Sequence, residues 1–341
     1  MKVTFRGAAG LAATISALAA LSACGSSNDG GATASSGTPA KATNSADCSA
    51  AGKKIVYVSV LRENPILRTM AQGFVDGAKK DGFEDPQWLA PQGFDEAGAA
   101  QLGQQAIAQG TAGIVVFASS PAFYPMIRRA QAAHIPVVQT HSIIPEGKAP
   151  GVDAVLAPDP KQYGAAAAEA IGAKLGGKGT VAITQTAFQP NENDAATAFT
   201  DTMKAKYPTI KVLKPQLEGS DVAKAIGIES AIIQAHPDLS AAFSTNGNGP
   251  VTWSGAQRDT KHKLVIIGMD YAKANLDLVK SGEVYGIVAQ PIYQEHAKAA
   301  DVMKQIICGQ KVPYMQTMPA PVVTKAGLDE YYNFLDRVKI R

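Results

Sequence analysis

The sequence predicts an α/β protein with two lobes, each built around a doubly wound parallel sheet. Short, almost entirely apolar segments such as residues 55–60 suit strands that are covered on both faces. Most of them are followed by a segment whose apolar residues recur every three or four positions, as in an amphipathic helix. This alternation restarts near residue 160, and the roughly 290 residues from Cys48 onward are long enough for two lobes.

Residues 54–83 show the repeating unit most clearly. A strand at 55–60 is followed by a polar loop that contains Asn64, and then by an amphipathic helix that stops at Gly82. The apolar positions that define this helix are Ile66, Met70, Phe74 and Ala78. In open α/β sheets, ligands bind at the carboxyl ends of the strands, so the loop around Asn64 is the first candidate for a binding surface.

The remaining elements follow the same alternation. The first lobe is predicted to contain helices at 97–109 and 121–133, and strands at 113–117, 136–140 and 154–157. The second lobe is predicted to contain helices at 160–175, 191–207, 222–236, 250–258 and 272–280, and strands at 180–184, 211–215, 239–244, 264–268 and 285–289. A helix at 292–308 and an extended segment at 318–324 come last.

The first 47 residues are predicted to lie outside the two lobes. Lys2 and Arg6 precede an apolar run at 7–21 that is too short to span a membrane, and small residues lead up to Cys24. The pattern resembles a bacterial lipoprotein signal peptide at 1–23 with lipid on Cys24; the alternative is an ordinary secretory signal with an incidental cysteine. The polar residues that follow, up to 47, predict a flexible tether. We therefore expect an extracytoplasmic protein anchored to the cell membrane.

The sequence contains three cysteines, and lipid on Cys24 would leave Cys48 and Cys308 as a pair. Because a secreted protein folds in an oxidising compartment, we predict a disulfide between these two residues. The alternative is two buried thiols that pack as small apolar side chains.

Charge and residue spacing argue against several classes of function. The formal net charge of +3, which loss of the signal peptide would lower by two, does not favour nucleic acid as a partner. The five histidines lack metal-ligand spacing, and no serine nucleophile elbow is present. The glycine-rich segment 172–179 lies between a helix and a strand, which is the reverse of the order in a phosphate-binding loop. We expect no enzymatic activity, no metal and no cofactor.

Five short motifs, in order along residues 54–324, resemble the type I periplasmic binding proteins of sugar ABC importers, the ribose- and galactose-binding group. The motifs are Asn64-Pro65 after the first strand, Ala235-His236-Pro237-Asp238 before the strand that leads to Asn246, Gly268-Met269-Asp270, Ala289-Gln290, and the segment 309–313. Sugar-responsive repressors share this fold, but here a signal and tether stand where their helix-turn-helix would be.

The resemblance implies two lobes joined by three crossings of the chain, near residues 157–158, 290–291 and 318–322. The N-terminal lobe would comprise 48–157 plus 290–322, and the C-terminal lobe 158–289 plus 323–341. A sugar or polyol would be clamped between them by hinge closure and delivered to the permease of an ABC importer. We expect a monomer. The alternatives are a nucleoside ligand, a ligand receptor for a sensor kinase, and a carbohydrate-acting surface enzyme, for which no carboxylate pair is evident.

The resemblance also implies a set of ligand-binding residues, whose amides, hydroxyls and carboxylate suit the hydroxyl groups of a sugar. These residues are Asn64, Ser119 or Ser120, His141, Asn193, Asn246, Asp270 and Gln290, with Phe117 as an aromatic face that stacks on the ligand. Three features differ from the ribose-binding pattern. That pattern has an Asp-Arg pair where this chain has His141-Ser142, an asparagine where it has Phe117, and an arginine near the helix start at Asn193 that is missing here. Charged groups that clamp hydroxyls are therefore fewer here.

Each of these residues also has a purely structural interpretation. Asp270 and Asn193 stand where a helix-capping residue would be, and Asn246 lies in a glycine-rich segment typical of a solvated turn. Gln290 lies at a crossing and suits a residue that bonds the hinge backbone. His141 suits an ordinary loop histidine, and Phe117 suits ordinary core packing.

Overall fold

The computed structural model describes residues 48–338. The predicted signal peptide, Cys24 and the tether lie outside the described residues, as do the last three residues of the chain. In the part that is described, no helix is both long enough and apolar enough to span a membrane.

Strands and helices alternate along most of the described chain. The strands are β1 Ile55–Val58, β2 Gln87–Leu89, β3 Gly113–Val116, β4 Val137–Thr140, β5 Ala154–Pro158, β6 Gly179–Gln185, β7 Ile210–Val212, β8 Gln216–Leu217, β9 Leu239–Ser244, β10 Val265–Met269, β11 Gly286–Val288, β12 Met315–Met318 and β13 Val322–Thr324. The helices are α1 Pro65–Lys80, α2 Glu96–Ala108, α3 Tyr124–Ala132, α4 Pro160–Lys174, α5 Pro190–Lys206, α6 Val222–Ala235, α7 Gly249–Thr260, α8 Lys273–Ser281, α9 Ile292–Ile307 and α10 Leu328–Arg337.

The strands form two sheets, and the predicted α/β fold class is confirmed. The first sheet has the order β12-β5-β4-β3-β1-β2, with every pair parallel. The second has the order β13-β11-β10-β9-β6-β7, with β8 beside β6, and β13 is its antiparallel edge strand. We call the first sheet with α1, α2, α3 and α9 the first lobe, and the second sheet with α4 to α8 and α10 the second lobe.

The chain passes between the sheets three times. It leaves the first sheet after β5, returns to it after β11 through α9, and passes back between β12 and β13. Each crossing contains proline, which fixes one backbone dihedral angle and limits how far the segment can bend freely. The prolines are Pro158 and Pro160, Pro291, and Pro319 and Pro321.

The structure differs from the predicted elements in four places, one of which is the two-residue strand β8, since a single strand is predicted at 211–215. The extended segment at 318–324 is two strands that belong to different sheets, β12 and β13. The short edge strand β2 and the C-terminal helix α10 were absent from the predicted elements. The helix α10 packs against α8, and its Phe334 lies against Tyr271 and Tyr293.

A disulfide joins Cys48, just before β1, to Cys308, the residue that follows α9. The cysteines are 260 residues apart in sequence, yet their Cα atoms are 5.6 Å apart. Both lie in the first lobe, because α9 packs on α1 and on the strands of the first sheet. The bond therefore connects the two separate stretches of chain that make up this lobe.

Helix α1 packs unusually closely on α9 at two glycines. A β-carbon on Gly73 would lie 2.2 Å from the backbone oxygen of Tyr293, and one on Gly77 would lie 2.5 Å from that of Ala297. Real β-carbons do not approach backbone atoms so closely, so each glycine is required by the contact between the helices.

We expect Gly73→Ala to destabilise the protein by about 1–3 kcal/mol, because the added methyl group pushes α1 away from α9. The matched control is Gly227→Ala in α6, where an added β-carbon would meet no atom within 4 Å. This control should stabilise the protein by about 0.5–1 kcal/mol, because alanine loses less backbone entropy on folding. Urea unfolding of the two variants measures both effects, and equal stability of the two would contradict the packing argument.

Candidate functional site

The carboxyl ends of the strands in both sheets face a common cleft. Phe117 and His141 directly follow β3 and β4 of the first sheet, and Thr186, Thr245 and Asp270 directly follow β6, β9 and β10 of the second. This is the edge of an open parallel sheet at which ligands bind.

Two adjoining cavities fill this cleft. The inner cavity has a volume of about 140 Å³ and is lined largely by polar residues, among them His141, Glu192, Asp270 and Gln290. The outer cavity, of about 570 Å³, shares several of these residues and adds an apolar wall from α1 and from Phe94. Residues that line both cavities are Phe117, His141, Thr186, Asn246, Gly247 and Asp270.

Asp270 is the most constrained polar residue of the cleft. Its backbone is left-handed, with φ of 68°, and its N–H donates to Val288 O at 2.8 Å, continuing the pairing of β10 with β11. The side chain is 4% exposed, and its Oδ1 has no hydrogen-bond partner among the described residues. Burial raises the pKa of Asp270 to about 7, with His141 opposing and Glu295 adding to the shift. A buried carboxyl group with a free oxygen is ready to accept hydroxyl hydrogens from a ligand.

The loops around Asp270 are held in place by Asn275 of α8. The Asn275 side-chain amide, which is 1% exposed, donates to the backbone oxygens of Gly247, Met269 and Asp270 at 2.9, 3.0 and 3.1 Å. Gly247 lies close to the carboxyl group, because a β-carbon there would lie 2.7 Å from Asp270 Oδ2 and would push this side chain aside. The carboxyl group is thus positioned before any ligand arrives.

His141 occupies the corresponding place in the first lobe. It too has a left-handed backbone, with φ of 69°, and its N–H donates to Leu156 O at 2.9 Å. Its Nδ1 lies 3.6 Å from Glu295 Oε2 on α9, and its ring meets the Phe117 ring edge-on at 5.2 Å. Burial by itself lowers the pKa of His141, but the Glu295 and Asp270 carboxylates outweigh burial and raise that pKa. The raised pKa favours the protonated, positively charged form of this histidine at the inner cavity.

Asn64, Asn246 and Gln290 also reach the cleft. Asn64 lines the outer cavity, but its Oδ1 caps α1 by accepting from Ile66 N at 2.7 Å. Asn246 lines both cavities, and its Nδ2 donates to Gly219 O at 3.1 Å. Gln290 is 4% exposed and lines the inner cavity at the second crossing. All three residues line the cleft, and the side chains of Asn64 and Asn246 also hydrogen bond to nearby backbone atoms.

Ser120 and Asn193 are not brought to either cleft cavity. The Ser119 and Ser120 hydroxyls donate to the two carboxylate oxygens of Glu96, and both serines line a neighbouring cavity of about 340 Å³, which Asn191 also lines. Asn193 is exposed, and its side chain bonds Gln185 and Phe188 O. At this helix start, Gln189, Asn191 and Glu192 line the inner cavity instead.

The prediction did not include several residues that shape the cleft. Glu295 is fully buried beneath His141, and its signal in the sequence is an acidic residue within the apolar stripe of α9. Tyr163 and Thr186 line the inner cavity, and Phe94, 61% exposed, lines the outer one. No sequence pattern distinguishes these last three residues from core or surface positions.

The polar groups of the cleft suit an uncharged ligand with several hydroxyl groups. Among the described residues, no lysine or arginine lines either cleft cavity, and His141 is the basic group that faces Asp270. Histidine, aspartate, cysteine and glutamate do not gather in groups of three that could hold a metal ion anywhere in residues 48–338. A carboxylate, an imidazole and amides can together donate to and accept from several hydroxyl groups.

Two α/β lobes with a polar cleft between the carboxyl edges of their sheets define the class of two-lobed binding proteins. Residues 55–311, more than half of the chain, match the periplasmic binding protein domain family, and the chain belongs to this family. Members of the family are extracytoplasmic solute-binding proteins without enzymatic activity, in agreement with the expectation from the sequence.

Similar proteins include binding proteins for small polyols and sugars. The xylitol-binding protein of Mycolicibacterium smegmatis is 23% identical over 218 residues, which cover 63% of this chain and 62%, less than two thirds, of that protein. The ribose import binding protein of Bacillus subtilis is 24% identical over 261 residues, covering 76% of this chain and 82% of that protein. A solute-binding protein of an ABC transporter from Burkholderia graminis, solved in complex with D-arabinose, superposes with a TM-score of 0.74 at 26% identity, covering 81% of this chain and 96% of that one.

Proposed function

We propose that this protein captures an uncharged sugar or polyol in the cleft and delivers it to the permease of an ABC importer. The observation that carries the proposal is Asp270, whose buried carboxyl group has a free oxygen in a cavity that it shares with His141 of the other lobe. The polyol and sugar specificities of the similar proteins, xylitol, ribose and arabinose, support the same class of ligand.

Ligand capture would work through contacts to both lobes. Asp270 and Asn246 of the second lobe and His141 of the first face the same volume, so one ligand can hydrogen bond to both sides. Because these bonds form together only when the lobes are close, the ligand stabilises a closed arrangement. The closed protein then presents a different surface from the open one, which is what a permease needs in order to recognise the loaded form.

We further propose that the protein acts as a monomer, held at the membrane by lipid on Cys24. The support for the anchor is the basic, apolar and small-residue pattern that precedes this cysteine. The tether up to residue 47 would let the binding lobes move about while remaining near the permease.

A nucleoside is the second candidate ligand, and the outer cavity is the observation that favours it. A ribose placed among the polar residues of the inner cavity would leave an attached base against the apolar wall formed by Ile66, Leu67 and Phe94. Sugars and nucleosides are thus distinguished by whether the ligand extends into the outer cavity.

We expect one class among pentoses, hexoses, polyols and nucleosides to raise the thermal midpoint of residues 48–341 by about 5 °C when present at about a hundred times its dissociation constant. Sugar acids and sugar phosphates should give no shift, because an anion would enter a cavity that holds Asp270 and no lysine or arginine among the described residues. A thermal-shift screen measures both. A shift with sugar acids alone, or with none of these compounds, would contradict the proposal.

A further inference from the structure

A pair of glutamates is buried in the second lobe, behind the wall of the cleft. Glu218 follows β8 and is 2% exposed, and Glu229 lies on α6 and is fully buried. Neither side chain lines either of the two cleft cavities. Buried carboxyl groups are costly unless they are paired or neutral, so the pair requires a physical explanation.

Each glutamate of the pair has one carboxyl oxygen that is hydrogen bonded and one that has no partner among the described residues. Ser244 Oγ donates to Glu218 Oε1 at 2.8 Å, and Thr252 Oγ1 donates to Glu229 Oε1 at 2.8 Å. The two Oε2 atoms are buried and have no hydrogen-bond partner among residues 48–338. Both carboxyl groups lie around Gly249, because a β-carbon there would be 2.2 Å from Ser244 Oγ, and Thr252 Oγ1 is 3.2 Å from Gly249 O. Two ionised carboxylates cannot donate to one another, so a hydrogen bond between them requires one proton.

The surroundings of Glu229 agree with a protonated side chain. Burial first, and then contact with Glu218, raise the pKa of Glu229 to about 11. On the neighbouring helix α7, the Thr252 hydroxyl donates a hydrogen bond to the Glu229 carboxyl group. The charged Arg258 of the same helix forms an ion pair with Glu283 rather than with Glu229. Like charges so close together in a buried site cannot both ionise at neutral pH.

The pair is connected to the cleft through the loop that carries Asn246. The Ser244 hydroxyl that donates to Glu218 also accepts from Asn246 N at 3.1 Å. The Asn246 side chain in turn donates to the backbone oxygen of Gly219, the neighbour of Glu218. Gly249 leaves room for this arrangement, since a β-carbon there would lie 2.2 Å from Ser244 Oγ.

We propose that Glu218 and Glu229 share one proton and that this pair fixes the Asn246 loop in the geometry that meets the ligand. Glu229 donates its carboxyl O–H to the Glu218 carboxylate, so the pair carries a single negative charge. Both are positioning residues, because they act on the ligand only through Ser244 and Asn246. The proposed effect of the pair on ligand binding rests on the function proposed above, whereas the proposal of a shared proton does not depend on that function.

The shared proton is tested by the pH dependence of unfolding in wild type and Glu229→Gln, without ligand. The folded pKa of Glu229 lies above its ordinary value of 4.5, so its contribution to stability is complete below about pH 4.5 and is lost as pH rises towards 11. Glutamine keeps the donor but cannot ionise. Between pH 6 and 9, the unfolding constant of wild type should therefore rise about tenfold per pH unit relative to that of Glu229→Gln.

The exposed Glu330 of α10 provides the matched control, since Glu330→Gln should follow the wild-type pH profile. If Glu229→Gln also follows the wild-type profile, the carboxyl pair carries no shared proton and the inference is overturned.

The positioning role is tested by amide hydrogen exchange of the segment 244–249 in the ligand-free protein. Ser244→Ala removes the link between the carboxyl pair and the loop, and should speed exchange of the Asn246 amide about tenfold. Glu218→Gln, which retains an acceptor for Ser244, should change exchange less than threefold. Unchanged exchange in Ser244→Ala would overturn the positioning role.

Titration with xylitol, D-ribose and D-arabinose then connects the loop to ligand capture. Ser244→Ala should weaken whichever of these binds to wild type by about tenfold, and Glu218→Gln by less than threefold. Equal affinity of Ser244→Ala and wild type would overturn this last step. Failure of wild type to bind any of the three counts against the proposed function alone, because the proton and exchange measurements contain no ligand.

Discussion

Replacing Asp270 with asparagine is expected to abolish ligand binding and at the same time to make the ligand-free protein more stable. The carboxylate would accept hydroxyl hydrogens through two charge-assisted hydrogen bonds, each of about 1.5–3 kcal/mol, so their loss weakens binding at least a hundredfold. Without ligand, however, this carboxyl group is buried, and its Oδ1 has no partner among the described residues. Asparagine tolerates the left-handed backbone of this position and carries no charge.

The gain in stability should depend on pH. Because the folded pKa of about 7 lies above the unfolded value, the protonated Asp270 contributes stability at low pH that is lost as pH rises through 7. At pH 8, Asp270→Asn should therefore be more stable than wild type by up to about 4 kcal/mol, and near pH 4 by little. Urea unfolding at the two pH values measures this difference, and calorimetric titration with the ligand found in the screen measures binding.

The matched control is Asp85→Asn, since Asp85 is also an aspartate with positive φ but is exposed and distant from the cleft lining. This variant should bind ligand like wild type and show no comparable gain in stability. If Asp270→Asn binds normally, Asp270 is a structural residue rather than a ligand-binding one.

Removal of the disulfide should have the largest effect on stability of any change outside the cleft. In the chain-entropy description, closing a loop of 260 residues stabilises the folded state by about 5 kcal/mol, which is an upper figure. Both cysteines are partly buried, so serine can replace them at little cost in packing. We expect Cys48→Ser with Cys308→Ser to lower the thermal midpoint by about 10 °C.

A reducing agent separates the bond from the substitution. Wild type should lose stability in dithiothreitol to about the level of the double variant, whereas the double variant should not respond. A double variant as stable as oxidised wild type would show that the folded packing of α9 on α1 makes the link redundant.

Much of the fold can be predicted from the sequence because most elements are buried. A parallel strand covered on both faces must be apolar along its length, as in β1 and β10, and the helix beside it must have one apolar face. These requirements are local, so they are visible in short windows of sequence.

The elements that the prediction lacks are those that show the apolar strand pattern or the apolar helix face only weakly. The strand β2 has three residues, partly exposed, at the edge of a sheet. The segment at 318–324 reads as one extended piece, because the change of sheet between β12 and β13 depends on distant partners. By contrast, α10 has a readable signal in the helical spacing of Leu328, Tyr331 and Leu335.

The site was predictable for residues in the loops that follow strands. His141, Asn246 and Asp270 are brought to the cleft because strand ends converge there, and this follows from topology alone. The direction of side chains at helix starts is set by local hydrogen bonds, which turned Asn193 towards Phe188 O. Glu295 of α9 lies beneath His141, about 150 residues after it in the sequence, and only the packed structure shows this contact.

The return of α9 to the first lobe also determines the order in which the protein can fold as it is synthesised. The residues up to β5 emerge without the helix that covers α1, and α9 follows only after strands β6 to β11 of the second sheet. At about 5–20 residues per second, the apolar face of α1 waits roughly 10–45 s for its partner. The second lobe can begin to assemble during this interval, whereas the first lobe is completed late. A chaperone that shields newly made apolar surface would therefore act on the N-terminal segment of this chain rather than on its middle.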